Sequence, residues 1–198
     1  DKWRDGVVRG QVGHRRMGGE ARAAEAFVGR IARVTGASGE LGRAIAVALA
    51  AAGADVALLA RNAEKLAETA ALVEGHGRRA LSVPTDITDP DAVAAAVATV
   101  TEQLGVIDVV INNAGGARFM SPLTDVKKDG WDKTVQLNLT APMVVAQACV
   151  PGMIEAGRGS IVNIASLAGL QAMESLSFYS ASKAGLLMLT RSMAKEWG

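Results

Sequence analysis

One cysteine, two histidines, one tyrosine and five prolines occur in 198 residues. The single thiol, Cys149, excludes an intrachain disulfide and a cysteine-cluster metal site, and His14 and His76 are too few for a zinc site, so no metal is expected. A lone cysteine fits a reducing, cytoplasmic setting. No apolar run approaches the roughly 18 to 20 residues that cross a bilayer, so no membrane is expected, and no secretory signal either. Neither sign of charge dominates: 21 basic residues face 20 acidic ones, a net charge of +1. Such a balance makes no strong field to gather nucleic acid or an anionic surface. Three tryptophans, three phenylalanines and one tyrosine are too few for an aromatic-rich β-sandwich.

What is abundant is small and apolar. Hydrophobic residues form 49% of the chain, 37 residues are alanine, and charged residues are 21%, the make-up of a packed domain rich in helices. Residues 1 to 30 hold seven basic and four acidic side chains outside any sustained apolar period and read as a flexible N-terminal arm. Residues 31 to 198 read as one domain. Short β-type runs at Ile31–Thr35, Asp55–Ala60, Ala80–Pro84, Val106–Ile111 and Ser160–Ile164 alternate with helical patterns. The helices span Leu41–Ala52, Ala63–His76, Pro90–Leu104, Lys128–Ala156, interrupted near Pro142 and Pro151, and Phe178–Trp197. This alternation predicts an α/β fold, a doubly wound parallel sheet in strand order 3-2-1-4-5 with helices on both faces.

Thr35-Gly36-Ala37-Ser38-Gly39-Glu40-Leu41-Gly42 stands where the first strand feeds the first helix. There, backbone N–H groups and the helix dipole favour a phosphate. Arg43-Ala44 follow Gly42 where a nucleoside-triphosphate loop needs lysine and a hydroxyl, so phosphoryl transfer is not expected. Tyr179 and Lys183 lie four residues apart on one helix face. A neighbouring cation favours a phenolate, which suits Tyr179 to exchange a proton with an alcohol or carbonyl. Ser166 follows the run Ile161-Val162-Asn163-Ile164 and falls at the carboxyl end of a parallel strand, the edge where ligands collect.

In these features, with Asp86-Ile87 after the third strand, Asn112-Asn113-Ala114-Gly115 after the fourth, and Asn138, residues 27 to 198 resemble the short-chain dehydrogenase/reductase family. The resemblance implies a Rossmann-like fold and a nicotinamide cofactor. It implies that Tyr179 is the general acid/base, that Lys183 lowers its pKa and bonds the nicotinamide ribose, that Ser166 holds the substrate oxygen, and that Asn138 positions a water in the proton relay. Gly36, Ser38, Gly39, Leu41 and Gly42 would meet the pyrophosphate, and Asp86 and Ile87 would frame the adenine. Asn113, Ala114 and Gly115 would pass close to the adenosine ribose. At the end of the second strand, Ala60 lacks the carboxylate that repels a 2′-phosphate, and Arg61 can grip one, so NADP is expected over NAD. A small carbonyl or alcohol is the expected substrate, with 3-oxoacyl thioesters and small polyols or sugars both plausible. Family members also pair through the helix after Asn138 and the Tyr179 helix, and Ala181, Gly185 and Met188 fit a homo-oligomer, dimer or tetramer.

Three departures stand out. Glu40 occupies the middle glycine position of the family's usual T-G-x-x-x-G-x-G, close to where a pyrophosphate would lie. Arg33 stands inside the first strand, where an unpaired charge is costly. The family's final strands and substrate-covering loop lie beyond Gly198, so a C-terminally truncated form is expected, with an exposed apolar edge at the fifth strand. These departures support a rival reading, a non-catalytic dinucleotide-binding or oligomerisation module.

Overall fold

The computed structural model describes residues 26–198. The proposed arm up to residue 25, including His14, lies outside them. Phe27 packs against the core and donates its N–H to the Ala52 carbonyl, and Arg30 pairs with Asp108, so these residues belong to the packed domain.

Five parallel strands form one sheet in the order β3-β2-β1-β4-β5. They are β1 (Ile31–Thr35), β2 (Asp55–Ala60), β3 (Ala80–Pro84), β4 (Val109–Asn112) and β5 (Ser160–Asn163). Every residue of β1 and β4 is buried, Arg33, Thr35 and Asn112 included, as befits central strands covered on both faces. Side chains alternate between two cores. Val56 and Leu58 join Val34 on one face, while Ala57 and Leu59 join Val110 on the other. Helices α1 (Glu40–Ala51) and α2 (Ala63–Glu74) cover the first face through Ala46, Ala50, Leu66 and Val73. Helices α3 (Pro90–Gln103) and α5 (Ala141–Glu155) cover the second through Val93, Val100, Val145 and Met153.

Local chemistry sets the helix starts. Asn62 caps α2 by accepting from the Lys65 N–H at 2.9 Å, and Asp89 caps α3 ahead of Pro90. The long helical segment proposed after Lys128 is α4 (Lys128–Val135), a π-turn over Gln136–Thr140, and then α5. Pro142 has no N–H for the Asn138 carbonyl, and the ladder re-forms with the Ala141 N–H on Gln136. Pro151 does not interrupt α5: it and Gln147, whose carbonyl it leaves without a donor, are exposed, where water serves. The final helix, α6, runs Ser177–Trp197.

The fourth strand is shorter at its start than the run Val106–Ile111 predicts. The chain bends at Val106, and Asp108 just ahead of the strand bonds the Ile31 carbonyl through its N–H while its carboxylate accepts from the Ile31 N–H, Arg30 and Arg158. The stretch Lys128–Glu155 does contain an 18-residue window with the mean hydropathy, 1.4, of a bilayer span, contrary to the count of apolar runs. A π-turn interrupts its α-helical ladder, and Ala141, Val145, Cys149 and Met153 pack in the core against the sheet. At the open edge, Val162 of β5 is 43% exposed.

Arg33 is fully buried on the α5 side of β1. Its Nη1 donates to Cys149 Sγ at 3.4 Å, while Nε and Nη2 have no partner among the described residues. Burial pushes the guanidinium below its usual pKa against the attraction of the Cys149 sulfur, and burial likewise pushes the Cys149 thiol up.

Candidate active site

A cleft of about 1140 Å³ opens at the carboxyl ends of β1, β2, β3 and β4. Each residue proposed for cofactor contact lines it: Gly36, Ser38, Gly39, Leu41 and Gly42 from the first turn, Arg61 after β2, Asp86 and Ile87 after β3, Asn113, Ala114 and Gly115 after β4, and Tyr179 and Lys183 from α6.

The glycine turn is held by neighbours as well as by its own backbone. Gly36 has φ 68°, a conformation that favours glycine, and a Cβ on Gly42 would lie 2.2 Å from the Gly36 carbonyl oxygen. Gly39 differs, since a Cβ there meets nothing closer than 3.5 Å. Asn113 Nδ2 donates to the Thr35 carbonyl at 2.9 Å, and the Asn113 and Ala114 N–H groups donate to Thr35 Oγ1 at 3.0 and 3.1 Å. Thr35 and Asn113 thus tie the two cofactor-side loops together. Helix α1 begins at Glu40 with no side chain of the described residues capping its first N–H groups, and its N-terminus enters the cleft wall. Uncapped donors, a positive dipole end and two positions closed to side chains fit the diphosphate of a dinucleotide. Glu40 opposes that fit, being exposed in the same wall.

At the other end of the cleft, Lys183 is buried, and its Nζ donates to the Ile164 carbonyl at 2.7 Å. Burial holds its ammonium below the usual lysine range. The same nitrogen lies 5.9 Å from the Tyr179 ring centre. A Cβ on Gly115 would sit 2.6 Å from Asn138 Oδ1 and 3.3 Å from Lys183 Nζ, so only glycine lets the loop after β4 pass between them.

Asn138 and Ser166 stand beside the cleft, outside its lining. Asn138 is fully buried in the π-turn and holds Gly116 by both backbone groups: Oδ1 accepts from the Gly116 N–H at 2.8 Å and Nδ2 donates to its carbonyl at 3.0 Å. Ser166 Oγ accepts from the Ala168 N–H at 3.2 Å, capping a short 3-10 turn, while Ile164 and Ala165 form the wall. Several lining residues were not legible in the sequence: Thr85, Thr88, Arg118 and Gln136. Gln136 donates to the Thr88 carbonyl at 3.2 Å, joining the π-turn after α4 to the loop after β3. No local spacing marks that contact, because 48 residues separate the partners.

The short chain dehydrogenase family model matches residues 30–198. The chain belongs to that family of oxidoreductases. Among relatives, the gluconate 5-dehydrogenase of Gluconobacter oxydans (strain 621H) is 41% identical over 86% of this chain and 66% of its own length. An NAD⁺-bound xylitol dehydrogenase superposes with TM-score 0.84 at 35% identity, over 86% of this chain and 66% of that one. A metagenomic short-chain oxidoreductase in complex with NADP superposes with TM-score 0.83 at 42% identity, over 86% and 77%. The chain thus spans about two thirds of the length of the first two.

Proposed function

We propose that this chain carries the cofactor-binding and proton-transfer residues of an oxidoreductase that moves a hydride between a nicotinamide cofactor and the carbonyl or secondary alcohol of a small polyol, sugar or sugar acid. The observation that carries the reading is that Tyr179 and Lys183 wall the same cleft into which the uncapped N-terminus of α1 opens. The substrate class rests on the relatives, gluconate 5-dehydrogenase and xylitol dehydrogenase. The 3-oxoacyl thioester alternative has no such support from these two.

Bound nicotinamide supplies the hydride acceptor or donor. In alcohol oxidation Tyr179, as phenolate, takes the hydroxyl proton; in carbonyl reduction the phenol returns it to the oxygen. The Lys183 charge favours that phenolate, and its remaining N–H groups bond the nicotinamide ribose. Ser166 holds the substrate oxygen. Asn138 holds the Gly116 loop with its side chain, and its backbone carbonyl, left without a helical donor by Pro142, is the acceptor for a relay water.

NADP is preferred over NAD, because Ala60 presents no carboxylate at the end of β2 and Arg61 lines the cleft beside it. Relatives of both kinds exist, one bound to NAD⁺ and one to NADP. The chain self-associates through α5 and α6, where Ala181 and Met188 are exposed. Gly185 serves another purpose, accommodating Leu139 of the π-turn, where a Cβ would meet Leu139 at 2.9 Å. One observation favours a weaker, non-catalytic binder, the Glu40 carboxylate in the pyrophosphate wall.

The test is titration of NADP⁺ and NAD⁺ by calorimetry, followed by turnover on a panel of polyols and sugar acids. Saturable cofactor binding with polyol-dependent reduction supports the reading; binding without turnover on any alcohol or carbonyl favours the non-catalytic module. Light scattering at micromolar concentration tests self-association, and a monomer would refute it.

A further inference from the structure

Tyr179 is the third residue of α6, inside a first turn that no side chain of the described residues caps. The hydroxyls of Ser177 and Ser180 in that turn are buried without a partner among those residues. A helix end of this kind frays unless tertiary contacts hold it, because its first N–H groups have no intrahelical acceptor. Lys183 lies one turn further in and is anchored on the Ile164 carbonyl at 2.7 Å. The two side chains can act together only while the first turn stays wound.

The contacts that hold this turn come from the loop after β4. Phe178, fully buried and adjacent to Tyr179, stacks on Phe119 with ring centres 4.2 Å apart and planes 14° from parallel. The edge of the Phe119 ring is set against α4, where a Cβ on Gly130 would lie 2.8 Å from its Cζ and 3.0 Å from its Cε1. Two residues on, the Ser121 N–H donates to the Ser175 carbonyl at 2.9 Å. Ser175 has φ 59°, a left-handed conformation that a serine keeps where its surroundings fix it. Upstream, Asn138 holds Gly116 by both backbone groups. Phe119 therefore stands as a wedge between α4 and the first turn of α6, with a backbone tie on each side of it.

We propose that Phe119 is a positioning residue for the proton-transfer step. Its ring, seated against Gly130, keeps the first turn of α6 wound and so keeps the Tyr179 phenol in the cleft wall beside the Lys183 ammonium. Phe119 itself is outside the lining of the cleft, so it acts through Phe178 and Tyr179 rather than on cofactor or substrate. Stacked rings have a preferred geometry that an aliphatic side chain does not reproduce. The role rests on the oxidoreductase reading above and adds to it a residue from a different loop.

The experiment compares wild type with Phe119→Leu, Gly130→Ala and the double variant by steady-state kinetics, cofactor calorimetry with NADP⁺ and NAD⁺, amide exchange and thermal melts. The Ser180 N–H donates to the Leu176 carbonyl at 2.8 Å at the start of α6, so its exchange reports the first turn directly. Phe119→Leu is expected to lower kcat by about tenfold to a hundredfold and speed Ser180 exchange by about tenfold, with cofactor affinity within about twofold of wild type. Gly130→Ala crowds the ring and should lower kcat in the same way, although alanine favours the helical state of α4. In the double variant the alanine methyl meets space that the shorter leucine vacates, and kcat and exchange should return part of the way to wild type. Two changes that add instead would overturn the wedge. Unchanged exchange at Ser180 in Phe119→Leu would also overturn it, as would a loss of cofactor affinity as large as the loss of kcat. A wild type without turnover on any alcohol or carbonyl would refute the oxidoreductase reading and this role together, whereas unchanged Ser180 exchange refutes this role alone.

Discussion

The Lys183 ammonium lies 5.9 Å from the centre of the Tyr179 ring, one helical turn further along the same helix, and is anchored by its bond to the Ile164 carbonyl. The anchor joins α6 to the carboxyl end of β5, so the cation's position beside the phenol depends on sheet–helix packing as well as on the four-residue spacing. Lysine has three N–H donors, and this contact uses one.

Tyr179→Phe is therefore expected to lower kcat by about 10²- to 10⁴-fold while cofactor affinity stays nearly unchanged, since only the proton-transfer group is removed. Lys183→Met should lower kcat and weaken the cofactor together. Steady-state kinetics paired with calorimetry separates the two, and retained kcat in Tyr179→Phe would exclude its acid/base role.

At the glycine turn, steric demand and spacing part company. Gly42→Ala forces a Cβ against the Gly36 carbonyl and should abolish cofactor binding, whereas Gly39→Ala has room and should bind within about twofold of wild type. Glu40→Gly should tighten the cofactor by about threefold to tenfold by removing a charge near the diphosphate, while destabilising α1 by about 1 kcal/mol through lost helix propensity. Affinity and melting temperature should thus move in opposite directions. A Glu40→Gly variant that binds no more tightly would show that the carboxylate swings clear of the ligand.

How far the fold could be read in advance depended on whether the determining contacts were local. Asp55–Ala60 and Ala80–Pro84 are strands as read, because short aliphatic runs bounded by breakers leave little choice. Val106–Asp108 look equally strand-like, but Asp108 spends its carboxylate on Ile31, Arg30 and Arg158, partners remote in sequence. Pro142 and Pro151 look alike as breakers, but Pro142 is buried in the first turn of α5, just after the π-turn, and Pro151 lies further along on its exposed side. Gly36, Asp86 and Asn113 line one cleft as read, because strand ends and turns bring them to one edge of the sheet. The roles of Thr35 and Asn138 as ties between loops were not, since a hydroxyl or amide carries no mark of which distant backbone it will meet.

Acid should weaken the domain through Asp108. Burial alone would raise its carboxyl, but bonds from the Ile31 N–H, Arg158 and Arg30 more than offset this and hold it below the usual range. A lowered folded value means that the stabilisation is complete above the unfolded pKa of about 3.9 and is lost as pH falls through the folded one. Asp108→Asn should cost about 1–3 kcal/mol at neutral pH and flatten the stability profile below about pH 4. Urea melts across acid pH check it, and an unchanged profile would remove Asp108 from the acid response.

Arg33 offers the opposite case, a buried charge whose removal should help. With Nε and Nη2 unpartnered and a weak sulfur acceptor for Nη1, the guanidinium recovers little of what it loses on leaving water. Arg33→Met keeps a long, flexible side chain in the space between β1 and α5 and is expected to stabilise the domain by about 1–4 kcal/mol. Cys149→Ala alone should destabilise by about 1–3 kcal/mol, because it takes away the only acceptor and leaves a cavity. In the Arg33→Met background the same cysteine change should cost less, since no charge remains to be orphaned, and the cycle of four melts measures that coupling directly. A lower melting temperature for Arg33→Met would mean that the guanidinium finds further acceptors in the folded protein and contributes to its stability.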